Sequence, residues 1–130
     1  MTDDFSKFRI VIVDDSDFSR SKIRSILTQH GFNIVGEASN GNEALRIVKD
    51  KKPHLVIVDV VMPEFSGIEL TEKILSTSTN TGVIVVSSLT QEQVVMQAIA
   101  AGALDFIAKP LVETQLVESV SKYLLTSAHD

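Results

Sequence analysis

Short apolar runs rich in β-branched residues recur along this chain with a helix-length segment after each, and that alternation limits the fold more than any other feature. The runs are residues 8–13, 32–38, 55–58, 82–86 and 105–108. The intervening segments carry a helical period. Residues 20–30 place Ile23, Ile26, Leu27 and His30 on one side, and residues 42–51 place Ala44, Leu45 and Val48. Residues 68–76 offer the weaker stripe Leu70, Ile74 and Leu75, residues 91–101 offer Val94, Val95, Ala98 and Ile99, and the last stripe is Leu116, Val120, Tyr123 and Leu124. Spacings of three and four put each set on one helix face. Strands that alternate with helices are joined by right-handed crossovers and form a parallel sheet covered on both sides. The segments 10–13, 56–58 and 83–86 are apolar at every position, as strands buried on both faces must be. Boundary residues agree. Asp17 and Ser19 are candidate caps for the first helix and Gly31 its stop, Asn40-Gly41 is a turn before the second, and Pro53 follows its end. Thr90 with Gln93 reads as a capping box for the fourth helix, and Gly102 lies where it should end.

The 130 residues suit one domain with its own core, 44% hydrophobic and 22% charged. No linker, repeat or low-complexity stretch divides them, so residues 1–130 are expected to form a single domain with a core from 8 to 125. The absence of cysteine removes disulfide scaffolds, Cys-ligated zinc, iron–sulfur clusters and thiol nucleophiles. The start, Met1-Thr-Asp-Asp-Phe-Ser, is acidic and polar, unlike a secretory signal, and no apolar run nears the ~18 residues of a membrane helix. A cytoplasmic location, away from membranes, is expected. Seventeen acids against twelve bases give a net charge of −5, which argues against sequence-independent nucleic-acid binding by neutralised phosphates.

Polar groups collect at the strand ends. Val11-Ile12-Val13-Asp14 and Val56-Ile57-Val58-Asp59 are the same tetrapeptide, each an apolar strand that ends in a carboxylate, and Asp15 follows the first. The fourth strand ends in Ser87 and Ser88 and the fifth in Lys109, before Pro110. In a parallel sheet these ends share one edge, where ligands bind. Three clustered carboxylates repel unless a cation intervenes, and Lys109 compensates one charge at most. A site with few protein oxygens that retains waters suits magnesium better than calcium. A carboxylate held beside such an ion and an ammonium can act as a nucleophile toward phosphorus, with a hydroxyl to bond a phosphoryl oxygen. Gly36-Glu-Ala-Ser-Asn-Gly41 matches neither a phosphate loop nor a dinucleotide fingerprint, and no His pair has zinc-ligand spacing.

Taken together, Ile12-Val13-Asp14-Asp15-Ser16, Val58-Asp59-Val60-Val61-Met62-Pro63, Gly67, Val86-Ser87-Ser88 and Gly102-Ala103-Leu104-Asp105-Phe106-Ile107-Ala108-Lys109-Pro110 resemble the receiver domains of two-component response regulators, in particular single-domain chemotaxis regulators of the CheY type. The resemblance covers residues 8–125, and its motifs in this order are specific. It implies a flavodoxin-like, doubly wound five-stranded parallel sheet, order 2-1-3-4-5, with five helices and no output domain. It implies that Asp59 is the phosphoacceptor, that Asp14, Asp15, Asp59 and the backbone carbonyl of Val61 hold Mg2+, and that Ser87 and Lys109 contact the phosphoryl group. Ser87 and Phe106 would form the conformational switch, and Lys109-Pro110 would be a cis peptide.

The implied function is a monomeric signalling protein, not a turnover enzyme. It takes phosphate from a histidine kinase and binds a downstream protein, favoured as a flagellar motor switch, through the fourth helix, fifth strand and fifth helix. A relay that passes phosphate to a histidine phosphotransfer protein is the alternative. A metal-dependent phosphohydrolase is a remote one, since position 61 lacks the second acid such enzymes use. A flavin-binding protein of similar topology would need a phosphate loop where this chain has carboxylates. Ser87 stands where the family more often has Thr, Phe106 lacks the hydroxyl of a Tyr, and Val61 and Leu89 cannot orient a water, so slow self-dephosphorylation is expected. His30, His54 and His129 read as surface or helix-end residues, and Phe65 and Leu111 as exposed apolar side chains.

Overall fold

The computed structural model describes residues 4–78 and 80–127, so His129 lies outside the described residues. The order of elements is β1 (Arg9–Val13), α1 (Asp17–Gln29), β2 (Asn33–Ala38), α2 (Gly41–Lys51), β3 (Leu55–Asp59), α3 (Gly67–Thr77), β4 (Gly82–Ser87), α4 (Glu92–Ala100), β5 (Asp105–Ala108) and α5 (Glu113–Ser127). The strands form one sheet in the order β2-β1-β3-β4-β5, every pair parallel, which is the doubly wound arrangement. The central strands are buried on both faces, and the pleat sorts their side chains by size. Ile10, Ile12, Ile57 and Ile84 point to the layer filled by Ile23 and Leu27 of α1 and Leu116, Val120 and Leu124 of α5. Val11, Val13, Val56, Val58, Val83 and Val85 point the other way, onto α2, α3 and α4. Each fully buried aliphatic side chain contributes roughly 1.5–3 kcal/mol.

Glycine ends two helices in the left-handed region, at Gly31 (φ +86) and Gly102 (φ +108), as the sequence predicts. The N-caps differ from the expected ones. Ser16, one residue earlier, caps α1 and accepts the Ser19 N–H at 3.2 Å. Asp17 is already the first helical residue, where its charge favours the helix N-terminus and pairs with Arg20. The Thr90–Gln93 box does not form, because α4 begins after Gln91, which makes no side-chain cap. Asn40 does cap α2, accepting the Glu43 N–H at 2.9 Å, while the Glu43 carboxylate accepts the Ser39 N–H at 3.0 Å.

The stripe expected on α4 is narrower than drawn. Only Ala98 is fully buried, and Ile99 is 49% exposed, because the helix rests on its smallest apolar residue and lifts the flanks clear. Phe65 and Leu111 are partly buried rather than exposed. Phe65 packs on the start of α2, and Leu111 on the layer between α1 and α5. Before β1, Phe5 stacks on Phe32 at 4.6 Å, so the core reaches beyond the expected start at residue 8. His54 is half-buried: its Nδ1 accepts the Arg9 N–H at 2.9 Å and its ring meets Phe8 edge-on. No helix of the described residues is long and apolar enough to cross a membrane.

Candidate functional site

The site lies at the C-terminal edge of the sheet and follows from strand register. Val13 pairs with Val58, so Asp14 and Asp59 leave neighbouring strands one residue later, side by side. Ser87 pairs with Ala108, which brings Lys109 to the same edge, and the Lys109 N–H donates to the Ser87 carbonyl at 2.9 Å. Lys109-Pro110 is cis. The Lys109 ammonium donates to Asp14 Oδ2 at 2.9 Å and to Asp59 Oδ2 at 3.4 Å. Asp14 (1% exposed) and Asp59 (8%) are buried acids, and Asp15 is exposed. One carboxylate oxygen from each of the three lies within 4.8 Å of the others. Two unit charges that close repel by roughly 3 kcal/mol at an effective dielectric near 20. One ammonium among three carboxylates leaves a surplus of negative charge. Hard oxygen donors that converge in this way fit a divalent ion such as magnesium.

Asp14 is held by the turn that follows it. Asp14 Oδ1 accepts the Ser16 N–H at 2.9 Å, and the Asp14 carbonyl accepts from the Arg20 guanidinium. Sequence reasoning missed Arg20, and its place one turn into the helix after two acids was the available signal. Burial pushes the Asp59 carboxyl above its ordinary range, Lys109 opposes this and Asp14 adds to it. Gly67 packs its backbone against Asp59 so closely that a Cβ there would lie 2.0 Å from the Asp59 carbonyl oxygen.

The remaining predicted residues lie at the strand ends or in the layers beneath. Ser87 is fully buried, and its Oγ accepts the Leu89 N–H at 2.9 Å, closing the turn after β4. Phe106 of β5 is partly buried against the layer between the sheet and α2, α3 and α4. Val61 is 53% exposed and Leu89 partly buried.

Comparison with known proteins agrees with this geometry. The profile of the response regulator receiver domain matches residues 10–121. The chain is 41% identical over 114 residues to the chemotaxis protein CheY of Thermotoga maritima, covering 88% of this chain and 95% of that protein. It is 40% identical over 116 residues to CheY of Bacillus subtilis, covering 89% and 97%. A chain of the crystal structure of the CheX-CheY-BeF3-Mg2+ complex from Borrelia burgdorferi superposes with a TM-score of 0.86 at 34% identity, covering 90% of this chain and 89% of that one. With its sheet order, its acid cluster and its near full-length matches in accord, the chain belongs to the response regulator receiver domain family, of the CheY chemotaxis type.

Proposed function

We propose that this receiver accepts a phosphoryl group on Asp59 from the phosphohistidine of a histidine kinase and thereby changes its binding to a downstream chemotaxis protein in the cytoplasm. The observation that carries the reading is the Lys109 ammonium bridging the buried Asp14 and Asp59 carboxylates, with an Asp15 oxygen within 4.8 Å. Asp14, Asp15, Asp59 and the Val61 carbonyl would hold Mg2+, which supplies positive charge to the oxygens of the transferring group. An Asp59 oxygen attacks phosphorus. The P–N bond to the imidazole breaks, its electron pair stays on nitrogen, and a mixed anhydride forms on Asp59. Lys109, already within hydrogen-bonding reach of Asp59, donates to a phosphoryl oxygen.

Ser87 connects that event to the rest of the domain. Its hydroxyl now closes the turn to Leu89. A phosphoryl oxygen on Asp59 can accept the Ser87 O–H, whose proton the Leu89 contact does not use, and a Ser87 that turns toward it pulls on the segment leading into α4. Phe106 then has room to move inward, and both arrangements pre-exist with phosphate biasing their ratio. The face that responds carries exposed apolar side chains: Met96 and Ile99 of α4, Leu104 before β5 and Val112 before α5. The Borrelia relative, in complex with CheX, BeF3 and Mg2+, supports this reading, since tetrahedral BeF3 imitates a phosphoryl group. The test is intact mass after incubation with phosphoramidate, a small donor with a P–N bond. Wild type gains one phosphoryl group only when Mg2+ is present, and Asp59→Asn gains none. Magnesium-independent gain, or gain by Asp59→Asn, overturns the assignment.

A further inference from the structure

Arg20 stands one turn into α1 and is bonded twice to the turn that carries the acids. Its backbone N–H donates to the Ser16 carbonyl at 3.0 Å, and its guanidinium reaches back to the Asp14 carbonyl at 2.5 Å. That carbonyl belongs to the peptide unit between Asp14 and Asp15, so the bond restrains the torsions that aim the Asp15 side chain. The peptide unit on the other side of Asp15 is held by the Ser16 N–H, which donates to Asp14 Oδ1 at 2.9 Å. Asp15 needs this support. Asp14 and Asp59 both face the Lys109 ammonium, whereas the Asp15 carboxylate is exposed and has no hydrogen bond or ion pair among the described residues. Its oxygen nevertheless lies within 4.8 Å of the other two acids, against like-charge repulsion. The guanidinium is itself oriented from the sheet. Glu37 sits on β2 opposite Ile12 of β1, and its carboxylate pairs with Arg20 Nε at 3.4 Å and accepts from Arg24 Nη1 at 2.6 Å. Asp17 takes Arg20 Nη2. Two guanidinium groups against Asp17 and Glu37 leave this cluster neutral, so Arg20 serves the site as a hydrogen-bond donor and not as a counter-charge.

We infer that Arg20 and Glu37 are positioning residues for the acid site: Glu37 orients the guanidinium, the guanidinium pins the Asp14–Asp15 peptide, and the pinned peptide keeps the Asp15 carboxylate beside Asp14 and Asp59. Loss of the guanidinium frees the Asp14 carbonyl to turn toward solvent, and Asp15 swings away from the charges that repel it. The sign of the effect separates this role from simple electrostatics. Removal of a positive charge near three carboxylates would by itself tighten the binding of a cation. Removal of a group that orients a ligand loosens it. The consequence for Mg2+ rests on the function proposed above, whereas the consequence for the turn at Asp15 does not.

The experiment compares wild type with Arg20→Met, Glu37→Gln and the double variant Arg20→Met/Glu37→Gln. Methionine matches arginine in helix propensity and removes its donors. Mg2+ affinity is measured by titration calorimetry without any phosphodonor, at physiological ionic strength to screen distant charges. Amide hydrogen exchange of Ser16 in the metal-free protein is compared with that of Ile12 in the central strand. The expected result for Arg20→Met is Mg2+ binding weaker by about tenfold, with faster Ser16 exchange and Ile12 unchanged. Glu37→Gln should shift both in the same direction by less. The double variant should match Arg20→Met, because Glu37 acts through the guanidinium. Mg2+ binding in Arg20→Met that is unchanged or tighter overturns the inference, and so does Ser16 exchange equal to wild type. A double variant that binds several-fold more weakly than Arg20→Met also overturns it, since Glu37 would then act by another route. Equal acceleration at Ser16 and Ile12 does the same, because that marks global destabilisation. If wild type binds no Mg2+, the proposed function fails, and the Ser16 comparison still decides whether the tie exists.

Discussion

Gly67→Ala is a substitution for which local and tertiary reasoning give opposite signs. Gly67 is the first residue of α3 and has an ordinary negative φ, so helix propensity alone favours alanine by roughly 1 kcal/mol. The added Cβ, however, would stand 2.0 Å from the Asp59 carbonyl oxygen, 2.7 Å from its carbon and 2.7 Å from Val58 Cγ1. Contacts under 3.0 Å are essentially never seen, so the backbones must part by about 1 Å. Neither side yields easily. β3 is paired on both edges, and α3 is tied to the loop by the Gly67 N–H bond to Val60. Overpacking of this kind costs roughly 1–3 kcal/mol and outweighs the propensity gain. We expect a net loss of up to about 2 kcal/mol, a Tm lower by up to roughly 8 °C, and slower phosphorylation, because the end of β3 that moves carries Asp59. Urea denaturation and the intact-mass assay measure both. A Gly67→Ala protein at least as stable as wild type, with an unchanged rate, would refute the steric argument.

Further outcomes follow from the acid site and from His54. Because burial raises the Asp59 pKa, the folded state holds that proton more tightly than the unfolded chain, so stability falls as pH rises through the carboxylate range. In chelator-treated buffer Asp59→Asn should therefore be more stable than wild type at neutral pH, and the gap should close on acidification; a gap that widens toward acid contradicts the reasoning. Burial first, and the Arg9 charge second, lower the His54 pKa below its usual 6.5, and only the neutral ring accepts the Arg9 N–H. Stability from this contact is complete above 6.5 and lost as pH falls through the lowered value, so acid sensitivity measured by denaturation should shrink in His54→Gln. Val61→Asn or Leu89→Glu would place a water-orienting group beside the phosphoryl position and should speed its loss by about tenfold, read as decay of the phosphorylated mass.

Much of this molecule was readable from the chain, and the failures share a cause. The repeated tetrapeptide announced two equivalent buried strands with acids at one edge, because a strand apolar at every position has to lie inside a parallel sheet. The register Val13–Val58 realises it. Strand order came from the family resemblance, since periodicity says which segments are strands and not which are neighbours. The misplaced caps at Asp17, Ser19 and Thr90 were decided by one residue of helix phase, and several polar residues stood close enough to serve. The half-exposed Ile99, the part-buried Phe65 and the role of His54 depend on what lies opposite in space. The tie from Arg20 to Asp14 belongs to the same class.

The pairing of β1 with β3 has one more consequence. The distance between Asp14 and Asp59 is dictated by the backbone ladder beneath them, whose rungs do not lengthen, so these like charges have no means of drifting apart to ease their mutual repulsion. The domain is consequently built under an electrostatic load that the Lys109 ammonium offsets only in part, and divalent ions should raise its melting temperature well beyond what equal ionic strength of a monovalent salt achieves. Whatever rearranges during signalling must be carried by loops and helices, with the two acids as the stationary reference.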